Sequence, residues 1–226
     1  VIVQTPGFQR ARSAEHKRQR RDEMLDAARN LALDKGVRAV TMTDIAAEIG
    51  VHKSAVLRYF ETREAVFLEL LTEGWAEWVD ACVPAVEAAG SDPVEVARAI
   101  AETLSKRPLF CDLLAHAPMN LERGVSVEAV REFKLTSFGH IDRFVQAVTT
   151  ALPTLTKDEG WSLISAVNAL ASTLWQITHP TAAVAELYRT DPQIGHAVGD
   201  FGPNLREQTE TFILGLLARR GIGARP

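Results

Sequence analysis

The sequence predicts an all-α protein. Helical periodicity dominates, no stretch alternates convincingly with period two, and caps, prolines and glycines punctuate the chain at helix-length intervals. Met24, Leu25, Ala28, Leu31 and Ala32 recur at three and four and predict a first helix from about Ala14 to Lys35, stopped by Gly36. Thr41, with Asp44 three residues on, makes a capping box for a second helix that runs to Ile49 and ends at Gly50. A third helix covers roughly His52 to Tyr59. Thr62 caps a fourth, whose stripe Val66, Phe67, Leu70, Leu71, Trp75, Trp78, Val79 and Cys82 reaches toward Pro84. Helix rise makes residues 62–84 about 30 Å long, enough to leave one domain and enter another.

Asp92-Pro93 starts the next helix, with proline in the first-turn position it favours. Lys106-Arg107-Pro108 ends it, and a short helix follows to about Ala117. "APMNLERGVS" reads as a loop. A long helix then carries Val130, Phe133, Phe138, Ile141, Phe144, Val145 and Val148 until Pro153. Thr156 and Glu159 form a second capping box, opening a helix that ends at His179-Pro180. A short helix at 181–190, the turn-rich "DPQIGHAVGDFGPN" and a last helix bearing Leu205, Thr209, Phe212, Ile213, Leu216 and Leu217 complete the chain. No internal repeat or low-complexity tract occurs.

Composition narrows the function. The 226 residues are 46% hydrophobic with a mean hydropathy of −0.02, ordinary for a globular protein of one large or two small domains. No apolar run approaches the roughly eighteen residues of a membrane span. The first residues lack the apolar run of a secretory signal, and Cys82 and Cys111 read as buried small hydrophobes, so a reducing cytoplasm is expected. The net charge of −4 is unevenly spread. Residues 1–63 carry twelve Lys/Arg against eight Asp/Glu, and the remainder thirteen against twenty-one. Arg10, Arg12, Lys17, Arg18, Arg20 and Arg21 cluster ahead of the first apolar stripe. A basic end on an acidic protein suits a polyanion at that end alone.

The short second and third helices give that partner a shape. A helix of about nine residues is unstable alone in water, so it persists only when packed on neighbours. Ile45, Ala46 and Ile49 face Val51, Val56 and Phe60, Ala46 permits a close crossing, and Gly50 permits the turn. This is the grammar of a helix-turn-helix, whose second helix lies in the DNA major groove. Its outward positions are His52, Lys53, Ser54, Ala55 and Arg58. Lys53 and Arg58 suit guanine edges or phosphates, Ser54 either, and Ala55 a thymine methyl.

The segment "TMTDIAAEIGVHKSAVLRYFETREAVF" closely resembles the DNA-binding segment of the TetR family of bacterial transcriptional regulators. The threonine cap, Ile-Ala, Gly-Val, Tyr-Phe and basic residue of that pattern occur as Thr41, Ile45-Ala46, Gly50-Val51, Tyr59-Phe60 and Arg63. The preceding helix matches through Ala27, Ala28, Leu31 and Gly36, and the resemblance covers about residues 17–80. It implies base-reading or nearby phosphate-contacting positions at Lys53, Ser54, Ala55 and Arg58, and backbone-clamping positions at Thr43, Tyr59 and Arg63. Leu57 stands where the family usually has a phosphate-binding tyrosine, which removes that contact. The expected organisation is a flexible basic arm at 1–16, a DNA-binding domain at 17–63, and an effector-binding and dimerisation domain at 64–226. The basic arm is a further candidate for DNA contact.

One recognition helix reads too few base pairs, so two copies on an inverted repeat are expected. Leu163, Val167, Leu170 and Leu174 step by four, three and four, and with Phe212, Ile213 and Leu216 form the expected homodimer seam. The alternative is that this stripe packs inside its own subunit. The middle helices are rich in aromatic and soft residues, Phe133 and Trp161 among them. Trp78, Phe110, Met119, Phe138, Phe144 and Trp175, with His140 and His179 as polar handles, are the candidate pocket for a small, largely apolar effector. The resulting expectation is a repressor released from operator DNA by that effector.

Two rivals stand beside it. A dimeric DNA-binding protein without effector would fill the pocket positions with small core residues. An enzyme would show a motif such as G-x-S-x-G, H-E-x-x-H or a phosphate-cradling glycine loop, and none occurs. Asp191, His196 and Asp200 lie near one another in sequence but do not make a catalytic set. No cofactor and no metal are expected.

Overall fold

Side-chain caps fix where the helices begin. In the computed structural model, which describes residues 6–194 and 199–222, with side chains for 15–194 and 199–219, both capping boxes are closed. Thr41 Oγ1 accepts from the Asp44 N–H at 3.2 Å, and Asp44 Oδ2 accepts from the Thr41 N–H at 2.8 Å. Thr156 and Glu159 repeat the arrangement at 3.2 and 2.7 Å. Such caps are worth about 1 kcal/mol each.

The helices run α1 (Pro6–Lys35), α2 (Met42–Glu48), α3 (Lys53–Val56), α4 (Arg63–Ala89) and α5 (Pro93–Ser105). They continue as α6 (Pro108–His116), α7 (Val127–Ala151), α8 (Lys157–Thr178), α9 (Ala182–Thr190) and α10 (Phe201–Ile222). There is no strand among the described residues. Helix α4 is the axle: α1, α5, α6 and α7 all pack on it, while α8 is flanked by α6, α7 and α10. Its centre holds an aromatic cluster in which Trp78 lies 5.9 Å from Phe110 and 5.2 Å from Phe144, ring centre to ring centre. The Trp78 Nε1–H donates to Thr103 Oγ1 at 3.1 Å, so the indole is buried without a stranded donor. Gly74 of α4 lets Phe110 approach, because a β-carbon there would stand 2.5 Å from the ring.

Several boundaries differ from the sequence reading. Helix α1 starts at Pro6, not near Ala14, so residues 6–16 are helical where a flexible arm was expected. Arginine, glutamine, alanine and lysine are strong helix formers, and Arg18–Glu15 and Arg20–Glu23 pair at one-turn spacing. The third helix is shorter than predicted. After Leu57 the bonds switch to three-residue spacing, Arg58 N–H to Ala55 O at 3.4 Å and Tyr59 N–H to Val56 O at 2.9 Å, which tightens the chain into a turn. Helix α4 runs past Pro84 to Ala89 and stops at Gly90, where φ is 62°. Burial of Cys82 and Val86 on either side holds the helix through the bond that proline removes.

The predicted dimer seam is mostly interior. Leu163, Val167, Ile213 and Leu216 are buried within their own subunit, because α8 and α10 pack on each other. Leu170, Leu174 and Phe212 are half-buried, and Ile177 and Leu214 are exposed. Helix α9 buries no residue at all.

Candidate nucleic-acid interface and ligand cavity

The interface is built on α2 and α3. Ile45, Ala46, Val56 and Phe60 are buried, each large member contributing roughly 1.5–3 kcal/mol by its removal from water, with Ile49 and Val51 packed at the edge. Gly50 turns the chain at φ 67°, a conformation that favours glycine. The buried side fixes which side chains face outward. Thr43, Lys53, Ser54 and Arg58 are exposed, and Ala55 and Tyr59 are half-exposed. Neither the Lys53 nor the Arg58 side chain forms an ion pair or hydrogen bond among the described residues. Leu57 is 44% exposed on the same short segment.

Arg63 is placed differently. Its Nε and one terminal nitrogen donate to the carbonyls of Val40 and Val37, and the other terminal nitrogen lies 3.1 Å from Glu64. The guanidinium also stacks 4.7 Å from the Phe67 ring centre. Where a DNA-backbone clamp was expected, Arg63 is in this structure an internal staple that fastens the α1–α2 connection to the start of α4. A lysine has three donors on one atom, whereas only the arginine fork reaches both carbonyls at once.

Other basic residues near the first helix are also engaged. Arg21 pairs with Glu69 of α4 and lies 4.7 Å from the Phe60 ring centre. Arg29 reaches Glu73 at 2.7 Å. The side chains of Arg10 and Arg12, like His196, lie outside the described residues. Lys35 stands 3.0 Å from Asp44, and its hydrogen bond, with those from Thr41, lowers the Asp44 carboxyl to about 2.

Asp112 of α6 was not singled out by the sequence. Its Oδ2 accepts from the Val37 N–H at 2.8 Å, and its Oδ1 accepts from Gln176 Nε2 of α8 at 2.8 Å. His116 Nε2 is 3.4 Å away. Burial alone would raise this carboxyl, but hydrogen bonds from His116, Val37 and Gln176 outweigh it and hold it below the usual range. One carboxylate thus joins the α1–α2 turn to two helices of the C-terminal part. Beyond the one-turn spacing to His116, no local pattern marks it, since its other two partners are 75 and 64 residues away.

The candidate pocket residues separate into different places. Trp78, Phe110 and Phe144 belong to the buried aromatic cluster, and Met119 is 67% exposed. Trp175 and His179 stack at 3.6 Å beside Phe201, at the far end of α8. His140 Nδ1 is buried without a hydrogen-bond partner and lies outside the cavity lining. Phe138 alone of the eight lines a cavity of about 490 Å³ between α4, α6, α7 and α8. Trp75, Phe133, Ile141 and Trp161 form its apolar walls, with Phe138 and Trp161 edge to face at 5.8 Å. Its polar lining includes Ser137, Asn168, and the pair Lys134–Glu122 at 2.6 Å. Sequence periodicity marks all these aromatics as inward-facing but does not say which face a wall and which a void.

No group of His, Cys, Asp and Glu among the described residues is arranged to hold a metal ion. No helix among them is long and apolar enough to cross a membrane.

Comparisons with known proteins agree with this architecture. Residues 24–70 match the family model for bacterial regulatory proteins of the tetR family, and residues 72–220 match the tetracyclin repressor-like C-terminal domain. No curated protein matches the sequence. Among solved structures, the fold is similar to the fatty acid degradation regulator FadR from Bacillus halodurans, at 14% identity and a TM-score of 0.55, covering 86% of this chain and 94% of that one. It is also similar to the TetR family transcriptional regulator PfmR from Thermus thermophilus, at 17% identity and 0.53, covering 85% and 98%. FadR from Thermus thermophilus, solved in complex with lauroyl-CoA, aligns at 19% identity and 0.53, covering 86% and 93%. With both family models matched in chain order across most of its length, the chain belongs to the TetR family of bacterial transcriptional regulators.

Proposed function

We propose that the protein is a dimeric, sequence-specific repressor, released from an inverted-repeat operator by a small, largely apolar effector. The observation that carries this reading is the set Lys53, Ser54 and Arg58, exposed, with side chains that have no partner among the described residues, on a short segment whose opposite face is buried. Unpaired cations on a short, rigid element suit phosphates and base edges. Residues 17–63 would form the DNA-binding domain and 64–226 the effector-binding and dimerisation domain. Leu170, Leu174 and Phe212, with the exposed Ile177 and Leu214, are the α8–α10 residues still accessible to a second copy. The cavity beside α4 favours an effector-responsive regulator over one that only dimerises. Occupying it would move α4 and its fixed partners, so that two copies no longer match half-sites about 34–36 Å apart.

Selection of DNA fragments by the purified full chain tests the reading, and enrichment of an inverted repeat is expected. Lys53→Ala should cost about 1–3 kcal/mol at the base pair it reads and broaden the selected sequences, with the melting temperature unchanged. Failure to enrich any repeat, under low-salt conditions that favour binding, would sink the proposal.

A further inference from the structure

Given that the cavity is the effector site, a reading on which this step rests, its lining restricts what the effector is. We infer that the ligand is an uncharged amphipath: a hydrocarbon body carrying a hydroxyl, ketone or ester, not a carboxylate, an ammonium or a coenzyme A thioester. Three features of the lining lead there.

The first is an unanswered hydroxyl. Ser137 of α7 is 3% exposed, lines the cavity, and its Oγ has no hydrogen-bond partner. Helical serines ordinarily bond a carbonyl one turn back, as Ser165 does to Trp161 O at 2.9 Å and Ser172 to Ala169 O at 3.0 Å on the facing wall. Ser137 does not: its donor and acceptor are covered and unanswered, and a rotation about χ1 would offer both to a guest in the cavity that the residue lines.

The second is the balance of charge. The charged groups in the lining are Lys134 and Glu122, and they neutralise each other at 2.6 Å. A carboxylate or phosphate entering here would meet no free cation in the lining and would have to compete with Glu122 for Lys134 or give up water against the aromatic walls unpaired, which is unfavourable. A coenzyme A moiety brings several negative charges, and this lining holds no unpaired cation to meet them.

The third is shape. The volume of about 490 Å³ lies in the range of small-molecule pockets, and Trp75, Phe133, Phe138 and Trp161 give it flat apolar walls. Asn168 of α8 adds an amide with no hydrogen bond among the described residues, so a second neutral polar group can be accommodated.

Calorimetry and tryptophan fluorescence on the full chain, with dodecanol, methyl laurate, laurate, dodecylammonium and lauroyl-CoA as probes, test this chemistry. Dodecanol or methyl laurate should bind at least about tenfold tighter than any charged probe. Ser137→Ala should weaken the neutral probe about fivefold or more with little change in melting temperature. Glu122→Gln, which leaves Lys134 unpaired, should raise laurate affinity about tenfold and leave dodecanol within about twofold. The inference is overturned if a charged probe binds tightest, if none of the probes binds, or if both substitutions are without effect. DNA selection by the same preparation is scored separately. Intact DNA binding with a failed ligand result removes only the ligand assignment, while absent DNA binding removes the regulator reading.

Discussion

The segment 53–58 and the first turn of α4 both carry cations, yet they use them in opposite ways. Lys53 and Arg58 extend from a buried platform, and no side chain among the described residues neutralises them. Arg63, a few residues on, commits its donors to two backbone carbonyls and Glu64, and its flat face to Phe67. The difference separates an available charge from a committed one. A cation left unpaired keeps its full affinity for an outside anion, whereas one paired internally has already exchanged that affinity for rigidity. The same division recurs at the cavity, where Lys134 is paired by Glu122.

Removing the staple should have the largest effect. Arg63→Ala strands the carbonyls of Val37 and Val40 and uncovers Phe67, and should lower unfolding free energy by about 2–4 kcal/mol in denaturant titration. Arg63→Lys should recover only part of it. Equal melting temperatures for Arg63→Ala and Lys53→Ala would erase the contrast.

Asp112→Asn sharpens it next. An amide accepts at one atom only, so the link to either Val37 or Gln176 weakens, with a cost of about 1–3 kcal/mol. The sign of the pH dependence follows from the depressed carboxyl. Its contribution is complete above the unfolded-state value of about 4 and is lost as pH falls through the lower folded-state value. Acid titration of stability should therefore be shallower for Asp112→Asn than for the parent protein.

The smallest effect is expected at the thiols. Burial pushes Cys82 and Cys111 up to about 12, so neither should react with a thiol reagent at neutral pH in the folded protein, and both should react in denaturant. Rapid labelling of either in the native state would show that the core around α4 and α6 opens.

Legibility in the sequence followed the range of the interactions. Thr41 with Asp44, Asp92 with Pro93, and Thr156 with Glu159 act over one to three residues, and each opens the helix it announces. The buried face of α2 and α3 was equally readable, because periodicity alone selects Ile45, Ala46, Val56 and Phe60. The internal contacts of Arg63 were not readable, because residue type shows a charge without showing what it meets. The cavity was obscured for a similar reason. Phe138 and Phe144 sit on one helix with like periodicity, yet one faces a void and the other a packed ring, a distinction set by α4 and α8 rather than by α7 itself.

The bridges into the α1–α2 connection all end on main-chain atoms: Asp112 takes the Val37 N–H, and Arg63 takes the carbonyls of Val37 and Val40. Amides and carbonyls survive almost any change of side chain, proline at residue 37 being the exception that deletes the donor. The side chains of the α1–α2 connection can thus be respelled without losing these three bonds, whereas α1 itself also hangs on side-chain pairs, Arg21 with Glu69 and Arg29 with Glu73.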